Sequence, residues 1–240
     1  RQLAHYDGLT ELANRTLFME QLHAAIARTS AGTQERFGVL FLDFDHFKLI
    51  NDTLGHEAGD ELLQQIAVRM RGALRVTDAF GDDASGNVVA RFGGDEFVVL
   101  VNDLRTDADS ERVAERLLQT LEPAYALQGG DVHSSASIGI VVGHDDRDNA
   151  EAVIRNADVA MYEAKRSGRA CHVVFDETMH KRLTRRVGIE RGLRKAIGKG
   201  ELSLAYQPIV TVETGRMVSV EVLLRWVHPE FGDIPPAEFI

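Results

Sequence analysis

The sequence predicts an α+β fold: a mixed central β-sheet with flanking helices, followed by a separate C-terminal β-hairpin. Two observations support this class. Over residues 1–175, short β-rich runs alternate with amphipathic helical stretches, and two of the runs adjoin in a hairpin. Residues 201–240 then hold two alternating strand-like runs with no helix between them. We therefore expect a first domain over 1–175, a connecting helix over 176–200 and a second module that starts at 201.

The first part of the chain is expected to hold two helices and one buried strand. Asn14 can cap a helix over 15–29 that carries apolar residues on one side. Residues 37–44 are a short, nearly continuous apolar run, and their Phe and Val content favours a buried strand. A second helix is expected over about 57–74, where apolar residues recur at helical spacing.

The rest of the first domain begins with a loop over 77–87, which has turn formers and no apolar period. Two β-rich runs then flank Gly93-Gly94, and this pattern predicts a hairpin. The elements predicted after it are a helix over 109–122, a strand over 132–142, a helix over 149–167 and a strand over 170–175.

Composition excludes several classes of protein. The chain has 27 Lys and Arg against 37 Asp and Glu, and its formal net charge of −10 argues against a general nucleic-acid binder. A single cysteine excludes an internal disulfide and a cysteine-only zinc site. There is no apolar run of about 20 residues to cross a bilayer and no secretory signal at the start. We expect a cytoplasmic protein whose present residues do not contact a membrane.

Four carboxylates could converge at one end of the first strand. Asp43 and Asp45 stand two residues apart at its end, on one face, while Asp95 and Glu96 lie at the hairpin tip. If the tip lies beside the strand end, their oxygens suit Mg²⁺ or Mn²⁺. In the alternative interpretation, Asp95 and Glu96 are turn residues and Asp45 caps the next helix.

Other polar residues admit both a binding role and a structural one. Asn51 and Asp60 flank a Gly-rich bend and could read a guanine edge, but turn formation and helix capping are commoner uses of such residues. Lys165 and Arg169, near the end of the fourth helix, suit a triphosphate, but the helix dipole also favours cations there. Because no GxxxxGK[ST] loop exists, any phosphate site is not of the Walker type.

Four blocks, in this order, resemble the GGDEF family of diguanylate cyclases. They are DGLTELANR (7–15), LDFDHFKLINDTLGHEAGDELL (42–63), ARFGGDEFVVL (90–100) and ADVAMYEAKRSGR (157–169). The resemblance implies a fold like that of nucleotidyl cyclases and polymerase palms. It also implies the family reaction, in which two GTP condense to cyclic di-GMP and pyrophosphate with Mg²⁺ or Mn²⁺ in a homodimer.

The resemblance also implies roles for individual residues. The metal-binding and catalytic positions are matched by Asp43, Asp95 and Glu96, with the carbonyl of Phe44 as a further ligand. Glu96 matches the acid that assists metal binding or deprotonates the attacking 3′-hydroxyl. The GTP-binding positions are matched by Asn51 and Asp60 for guanine, Lys165 and Arg169 for the triphosphate, Lys48 as a further cation, and Gly93 and Gly94, where the backbone lets a ligand approach.

A product-inhibition site is a further expectation. Many relatives carry Arg-x-x-Asp shortly before the signature, and Arg75 and Asp78 have this spacing here. The loop 79–87 adds about nine residues, so counting back at the family spacing reaches Ala84 and Asn87 instead. Arg75 and Asp78 can occupy the expected place if the insertion loops out; otherwise they are an ordinary helix-end Arg and a loop Asp.

Residues 201–240 resemble the start of an EAL phosphodiesterase domain, through AYQPIV (205–210), EVLLRW (221–226) and PPAEF (235–239). Glu221 matches a metal-binding Glu and Arg225 a phosphate-contacting Arg, while Val222 stands where the signature has Ala. One carboxylate does not build a two-metal hydrolytic site, so we expect no phosphodiesterase activity from these residues. The parent is expected to be a tandem GGDEF–EAL protein. The alternative function is a non-catalytic GTP-binding module that regulates an EAL phosphodiesterase.

The C-terminal hairpin poses a packing problem, because a two-stranded hairpin is marginal alone in water. The basic stretch 176–200 is predicted to be a solvated connecting helix that holds the hairpin away from the first domain. We therefore expect the apolar face of the hairpin to pack on another chain; the alternatives are that it packs on the first domain or that the hairpin is poorly ordered.

Overall fold

The computed structural model divides the chain into two compact units, Arg1–Asp176 and Glu177–Ile240. It describes residues 4–29, 36–75, 86–143 and 149–239. No helix within these ranges is long and apolar enough to cross a lipid bilayer. Each unit is described by itself below.

The first unit confirms the predicted α+β class. Its helices are α1 (Arg15–Thr29), α2 (Phe47–Leu54), α3 (His56–Arg75), α4 (Ala108–Leu121) and α5 (Ala150–Arg166). Its strands are β1 (Arg36–Phe44), β2 (Val88–Gly93), β3 (Glu96–Leu104), β4 (Tyr125–Leu127), β5 (Gly130–Val132), β6 (Ala136–Gly143) and β7 (His172–Val174). Five strands form one sheet in the order β2-β3-β1-β6-β7, and β4 pairs with β5 separately. Neighbours in the large sheet are antiparallel except β6 and β7, so the sheet is mixed.

The central strand β1 is buried on both faces. Leu40, Leu42 and Phe44 belong to a core shared with α3 and α4, whereas Val39 and Phe41 belong to a core shared with α1 and α5. Because alternate residues point to opposite faces, a strand covered on both sides needs apolar residues throughout. This explains the continuous apolar run and leaves the strand end, at Asp43, as the place where polar groups begin.

Two elements of the first unit were not predicted. Helix α2 precedes Gly55, whose φ of +88° breaks the chain direction before α3 begins. The turn-forming residues in this segment obscure its helical pattern in the sequence, although Phe47 and Ile50 are buried on one face of the helix. The hairpin of β4 and β5 was also missed. The predicted strand over 132–142 is interrupted between Val132 and Ala136.

Helix α5 lies directly against β6 because Gly139 has no side chain. A Cβ at this position would overlap the carbonyl oxygen of Ala157 and the amide nitrogen of Met161. Both are backbone atoms of α5 and cannot swing away as a side chain can. Gly139 therefore sets the distance between the helix and the sheet.

The second unit is larger than the expected hairpin. It contains α6 (Thr178–Ala196), β8 (Leu202–Val210), β9 (Met217–His228), β10 (Gly232–Ile234) and α7 (Pro236–Phe239). The strands form an antiparallel sheet in the order β10-β9-β8. Trp226 is buried with Ile189 and Ala196 of α6 and Ile234 of β10.

Helix α6 packs on this sheet, which corrects the expectation of a solvated connecting helix over 176–200. A Cβ on Gly188 would stand 2.5 Å from the ring of Phe231, and one on Gly192 would stand 2.8 Å from the ring of His228. The glycines let α6 approach the sheet closely. Part of the hairpin's apolar face is thus covered within this unit. The residues of the hairpin that stay exposed include Leu204, Tyr206, Val218, Val220 and Val222.

Candidate active site

Residues 93–96, which we call the signature turn, join β2 to β3 and lie beside the end of β1. Gly93 has a φ of +146° and Gly94 of +54°, values that side-chain-bearing residues rarely adopt. No atom lies within 4 Å of the positions that Cβ atoms would take on them, so the turn is open to a ligand. Glu96 is the register partner of Asp43 in the pairing of β3 with β1. Directly paired residues project from the same face, which places these two carboxylates side by side.

Asp43 faces the C-terminal end of α5. The Nζ of Lys165 lies 2.6 Å from its Oδ1. Burial raises the pKa of Asp43 above its ordinary value; the hydrogen bond and charge of Lys165 oppose this, while the negative charges of Asp95 and Asp45 add to it. Burial is the largest of these effects, so the net rise shows that Lys165 does not fully offset the cost of burying a charged carboxylate beside two others.

Glu96 is likewise partly buried among other carboxylates. Burial raises its pKa, the charges of Asp158, Asp43 and Asp95 raise it further, and Lys165 lowers it. Asp158 lies on α5, seven residues before Lys165 and so on the same side of the helix. The pKa of Asp158 is itself raised, because the effect of burial exceeds the lowering by the charge of Lys165. Asp158 was not predicted to be a site residue. Its spacing of seven residues from Lys165, which puts both side chains on one side of a helix, is the pattern that could have indicated it.

The donor set has the chemistry of a Mg²⁺ or Mn²⁺ site. Carboxylate and carbonyl oxygens are the ligands that these hard cations prefer. Among the residues that the structure describes, no three acidic, histidine or cysteine side chains stand close enough to share a metal ion as arranged. The ammonium group of Lys165 already neutralises part of the charge at Asp43. A metal ion at Asp43 would therefore compete with Lys165 for Oδ1 or bind the other carboxylate oxygen.

The signature turn is supported from behind by Arg91. Its Nε and Nη2 donate to the Gly94 carbonyl at 3.0 and 2.8 Å, and its Nη1 donates to both oxygens of Asp7 at 3.0 and 3.2 Å. Thr10 donates to Asp7 through its amide and its hydroxyl. Burial alone would raise the pKa of Asp7, but the hydrogen bonds from Thr10 and Arg91 outweigh it and lower the pKa. The block 7–15 thus supports a turn that lies more than 80 residues away.

Asn51 and Asp60 lie on either side of the break at Gly55. The Oδ1 of Asn51 occupies the space that a Cβ on Gly59 would need. The amide side chain of Asn51 therefore rests against the residue that precedes Asp60, at the corner of α2 and α3. Lys48 is exposed on the first turn of α2.

Two backbone features bear on phosphate binding: the positive φ of Arg169 and the uncapped start of α2. Arg169 stands beyond the end of α5 with a φ of +64°, and its Nε is 3.8 Å from Oδ1 of Asp45. Helix α2 starts after His46 with no side-chain cap on its amides. Uncapped amides at a helix N-terminus can bind an anion.

Asp45 serves neither of the two roles considered for it. The residue is buried, and its carboxylate accepts the Ser135 hydroxyl at 2.6 Å, the Ser137 hydroxyl at 2.9 Å and the Ala170 amide at 3.3 Å. It does not cap α2, whose N-cap residue is His46. Asp45 still adds negative charge at Asp43, and Asp158 adds negative charge at Glu96, so a fifth carboxylate joins the four that were expected.

The remaining predicted site residues lie elsewhere. Asp78 and the side chain of Arg75 are outside the residues that the structure describes. In the second unit, Glu221 pairs with Gln207 and Arg225 with Ser203 across β9 and β8. Both Glu221 and Arg225 are exposed, and their even spacing puts them on one face of the strand.

The fold and the carboxylates at its central strand ends define a palm-like α+β domain. Residues 4–171 match the family described as "Diguanylate cyclase, GGDEF domain", and residues 190–240 match the EAL domain. The chain therefore belongs to the GGDEF family and continues into the start of an EAL domain.

Relatives share this arrangement. The chain is 39% identical over 239 residues to the "Bifunctional diguanylate cyclase/cyclic di-GMP phosphodiesterase MucR" of Pseudomonas aeruginosa, covering 100% of this chain and 33% of MucR. It is 38% identical over 242 residues to the "Cyclic di-GMP phosphodiesterase NbdA" of the same organism, covering 100% of this chain and 29% of NbdA. The chain thus spans about a third of the length of these relatives.

Solved structures give the same fold. The isolated GGDEF domain of TpbB (YfiN) from Pseudomonas aeruginosa has a TM-score of 0.67 and 38% identity, covering 75% of this chain and 99% of that chain. The GGDEF domain of DgcB from Caulobacter crescentus, in complex with c-di-GMP, has a TM-score of 0.63 and 28% identity. That match covers 72% of this chain and 94% of DgcB's.

Proposed function

We propose that the first unit is a diguanylate cyclase that condenses two GTP into cyclic di-GMP, within a tandem GGDEF–EAL signalling protein of the cytoplasm. The observation that supports this most is the pairing of Asp43 with Glu96 at the signature turn, where burial, joined by the negative charge of neighbouring carboxylates, raises the pKa of both groups. A divalent cation would neutralise this charge. Metal-assisted positioning is the main requirement of phosphoryl transfer.

The residues divide into three functions. Asp43, Asp95, Glu96 and the Phe44 carbonyl would hold Mg²⁺, which offsets the charge on the transferred phosphoryl group when it is bound. Glu96, whose pKa is raised by burial and by neighbouring carboxylates, would act as the base for the 3′-hydroxyl proton. Lys165, Arg169 and the amides at the start of α2 would hold the triphosphate and stabilise the departing pyrophosphate.

Guanine selection is assigned to the corner of α2 and α3. The Asn51 amide can donate to the O6 and N7 acceptors of guanine, and the Asp60 carboxylate can accept from its N1 and N2 donors. Adenine has a donor at N6 and an acceptor at N1 instead, and no amino group at C2, so it would not match these two side chains. Lys48, on the exposed first turn of α2, would add positive charge near the phosphates.

Catalysis requires two copies of the chain. One site holds one GTP, and the product needs two new phosphodiester bonds. Two GTP-loaded sites must therefore face one another in a homodimer. The test is an assay of pyrophosphate and cyclic di-GMP from GTP and Mg²⁺ at several protein concentrations, with the rate rising faster than linearly. The proposal fails if concentrated protein forms no more product than its Asp43→Asn variant.

A second candidate is a GTP-binding module that regulates the EAL domain without turnover. The ion pair between Lys165 and Asp43 favours it, because this contact occupies a proposed metal ligand. The relative NbdA, named as a phosphodiesterase, is in line with it. Calorimetry decides between the two candidates: tight GTP binding with no product, even in a dimerised protein, supports the regulatory module.

The second unit is proposed to have no hydrolytic activity by itself. Glu221 is exposed on β9, and one carboxylate does not make a two-metal site. Hydrolysis of cyclic di-GMP by this chain that disappears in Glu221→Ala would overturn this assignment.

Product inhibition through Arg75 and Asp78 is also proposed. DgcB's GGDEF domain was solved with c-di-GMP, and the Arg-x-x-Asp spacing is present here. We expect cyclic di-GMP to inhibit the wild-type chain, and Arg75→Ala to relieve the inhibition. Strong inhibition that survives the substitution would show that the product binds elsewhere.

Substitution of Gly59 should weaken GTP binding. In Gly59→Ala, the new methyl group takes the space of the Asn51 Oδ1 and displaces the amide from the guanine corner. We expect KM for GTP to rise roughly tenfold, the value of about one hydrogen bond to the base. Gly72→Ala on the same helix, where nothing lies within 4 Å of the new methyl group, is the matched control. An unchanged KM in Gly59→Ala would remove Asn51 from the guanine site.

Substitution of Arg91 should loosen the signature turn. Lysine keeps the charge but cannot bond to the Gly94 carbonyl and both Asp7 oxygens at once. Arg91→Lys should lower the free energy of unfolding by about 1–3 kcal/mol and turnover by at least about tenfold. Urea unfolding and initial rates measure the two effects. Arg36→Lys, in an exposed pair with Asp107, should change neither quantity, and equal effects in the two variants would argue against the support role.

A further inference from the structure

Asp45 is a buried carboxylate that the proposed reaction does not use. Its side chain has no exposed surface, and three donors hold it. Two are the hydroxyls of Ser135, which directly precedes β6, and of Ser137, which lies in β6. The third is the amide of Ala170, in the turn between α5 and β7. A carboxylate removed from water is tolerated when donors satisfy it, as here. The three bonds link the end of β1, the start of β6 and the turn.

The turn that Asp45 holds has an unusual backbone. Gly168, Arg169 and Ala170 have φ values of +121°, +64° and +49° in succession. Residues with side chains rarely adopt such values, and they persist where the surroundings enforce them. The Arg169 amide donates to the Ala164 carbonyl at 3.2 Å, which ends the helix. On the far side, the Ala170 amide donates to Asp45 at 3.3 Å, and the carbonyl of the next residue, Cys171, accepts the Ile138 amide at 2.9 Å, so the buried carboxylate and the sheet together fix that side of the turn.

Packing covers the end of the turn only in part. Ala170 is exposed and borders a surface pocket of about 460 Å³ that is also lined in part by Asp45, His46, His133 and Ser135. A residue with few packed neighbours gains little from dispersion contacts. The hydrogen bond that its amide donates to Asp45 therefore matters more for its position than it would in a filled core. Arg169, half exposed, points its Nε toward Asp45 at 3.8 Å.

We propose that Asp45 is a positioning residue, whose buried carboxylate holds the turn 168–170 so that Arg169 is presented to the triphosphate. This inference rests on the proposed GTP site. It predicts that Asp45 contributes to binding of the β- and γ-phosphates and not to binding of guanine, since Asn51 and Asp60 lie on α2 and α3. Removing a negative charge beside a triphosphate would by itself strengthen binding. A loss of GTP affinity is therefore the mark of a positioning role.

The first experiment compares binding of GTP and GMP by calorimetry. Asp45→Asn should weaken GTP roughly three- to tenfold and leave GMP unchanged. The double variant with Arg169→Ala should bind GTP no more weakly than Arg169→Ala alone, because Asp45 acts through Arg169. Additive losses, equal losses for GMP, or tighter GTP binding would each overturn the proposal.

Serine variants provide a matched pair if Asp45→Asn fails to fold. Ser137→Ala removes a hydroxyl that donates to the Asp45 carboxylate, whereas Ser134→Ala removes a buried hydroxyl that donates to the main-chain carbonyls of Asp45 and Ser135 at 3.4 and 3.5 Å and so leaves the donors of the carboxylate in place. We expect a partial loss of GTP affinity in Ser137→Ala and none in Ser134→Ala. Similar losses in both would point to a general packing effect and against the proposal.

The second experiment does not depend on nucleotide. Amide hydrogen exchange over residues 168–171 should be faster in Asp45→Asn than in the wild-type chain, most of all at Ala170. Unchanged exchange would overturn the proposed hold on the turn, whatever the binding data. A wild-type chain that binds no GTP would contradict the proposed function instead, and faster exchange in the variant would still support the hold.

Discussion

Asp43→Asn should reduce formation of cyclic di-GMP by at least about 1,000-fold, because it removes the carboxylate at the centre of the proposed metal site. Asn keeps the size of the side chain but loses its charge, so Mg²⁺ loses a strong ligand and Glu96 a like-charged neighbour. Initial rates at saturating GTP and Mg²⁺ measure the loss. Asp52→Asn, on the exposed side of α2, is the control and should keep full activity. Comparable rates for Asp43→Asn and the wild-type chain would rule out this metal site.

The same substitution should not destabilise the fold. The pKa of Asp43 is raised in the folded protein, so folding disfavours its charged form. Above the raised folded-state pKa, the charged carboxylate lowers the free energy of unfolding; this penalty fades as the pH falls through the folded-state pKa and is lost once the pH reaches the unfolded-state pKa of about 4. Asp43→Asn should therefore match or exceed the wild-type Tm at neutral pH. An inactive variant with a clearly lower Tm would show that Asp43 acts through structure.

Gly139→Ala should be among the most destabilising single substitutions in the first unit. The added methyl group overlaps backbone atoms of α5, so the helix must move away from the sheet. We expect a loss of about 3 kcal/mol in the free energy of unfolding. Because α5 carries Asp158 and Lys165, the displaced helix should also lower turnover.

Urea unfolding followed by circular dichroism measures the effect, with Gly72→Ala as the matched control. Gly72 lies in α3 with nothing within 4 Å of the new methyl group. That substitution should raise stability by up to about 1 kcal/mol through helix propensity. If Gly139→Ala were as stable as Gly72→Ala, the close approach of α5 to β6 would be wrong.

Much of the fold could be predicted because its elements have strong local patterns. The apolar run of β1 and the Gly pair between β2 and β3 are visible in the sequence. Helix α2 was missed because its NDTL residues favour turns in isolation, and the burial of Phe47 and Ile50 overrides that preference. The break before β6 was missed because Ser135 and Ser137 bond to Asp45, some 90 residues earlier in the chain.

The site was predictable where local signals and register coincide. Asp43 ends an apolar strand and Glu96 begins the next run, and pairing of the two strands brings them together. Asp158 could not be recognised in this way, because its effect on Glu96 arises from how α5 packs on the sheet. The support of Gly94 by Arg91 and Asp7 likewise depends on a contact between distant segments.

The glycines of α6 have a practical consequence for dissecting the protein. Trp226 and His228 rest on the helix at Gly192, and Phe231 rests on it at Gly188. A gene truncation or protease cut near residue 200 would separate α6 from the sheet and expose the buried side chain of Trp226 to solvent. A cut after Asp176 would leave each half with its own apolar interior. Limited digestion should therefore yield a long-lived C-terminal fragment only when the cleavage precedes the basic helix.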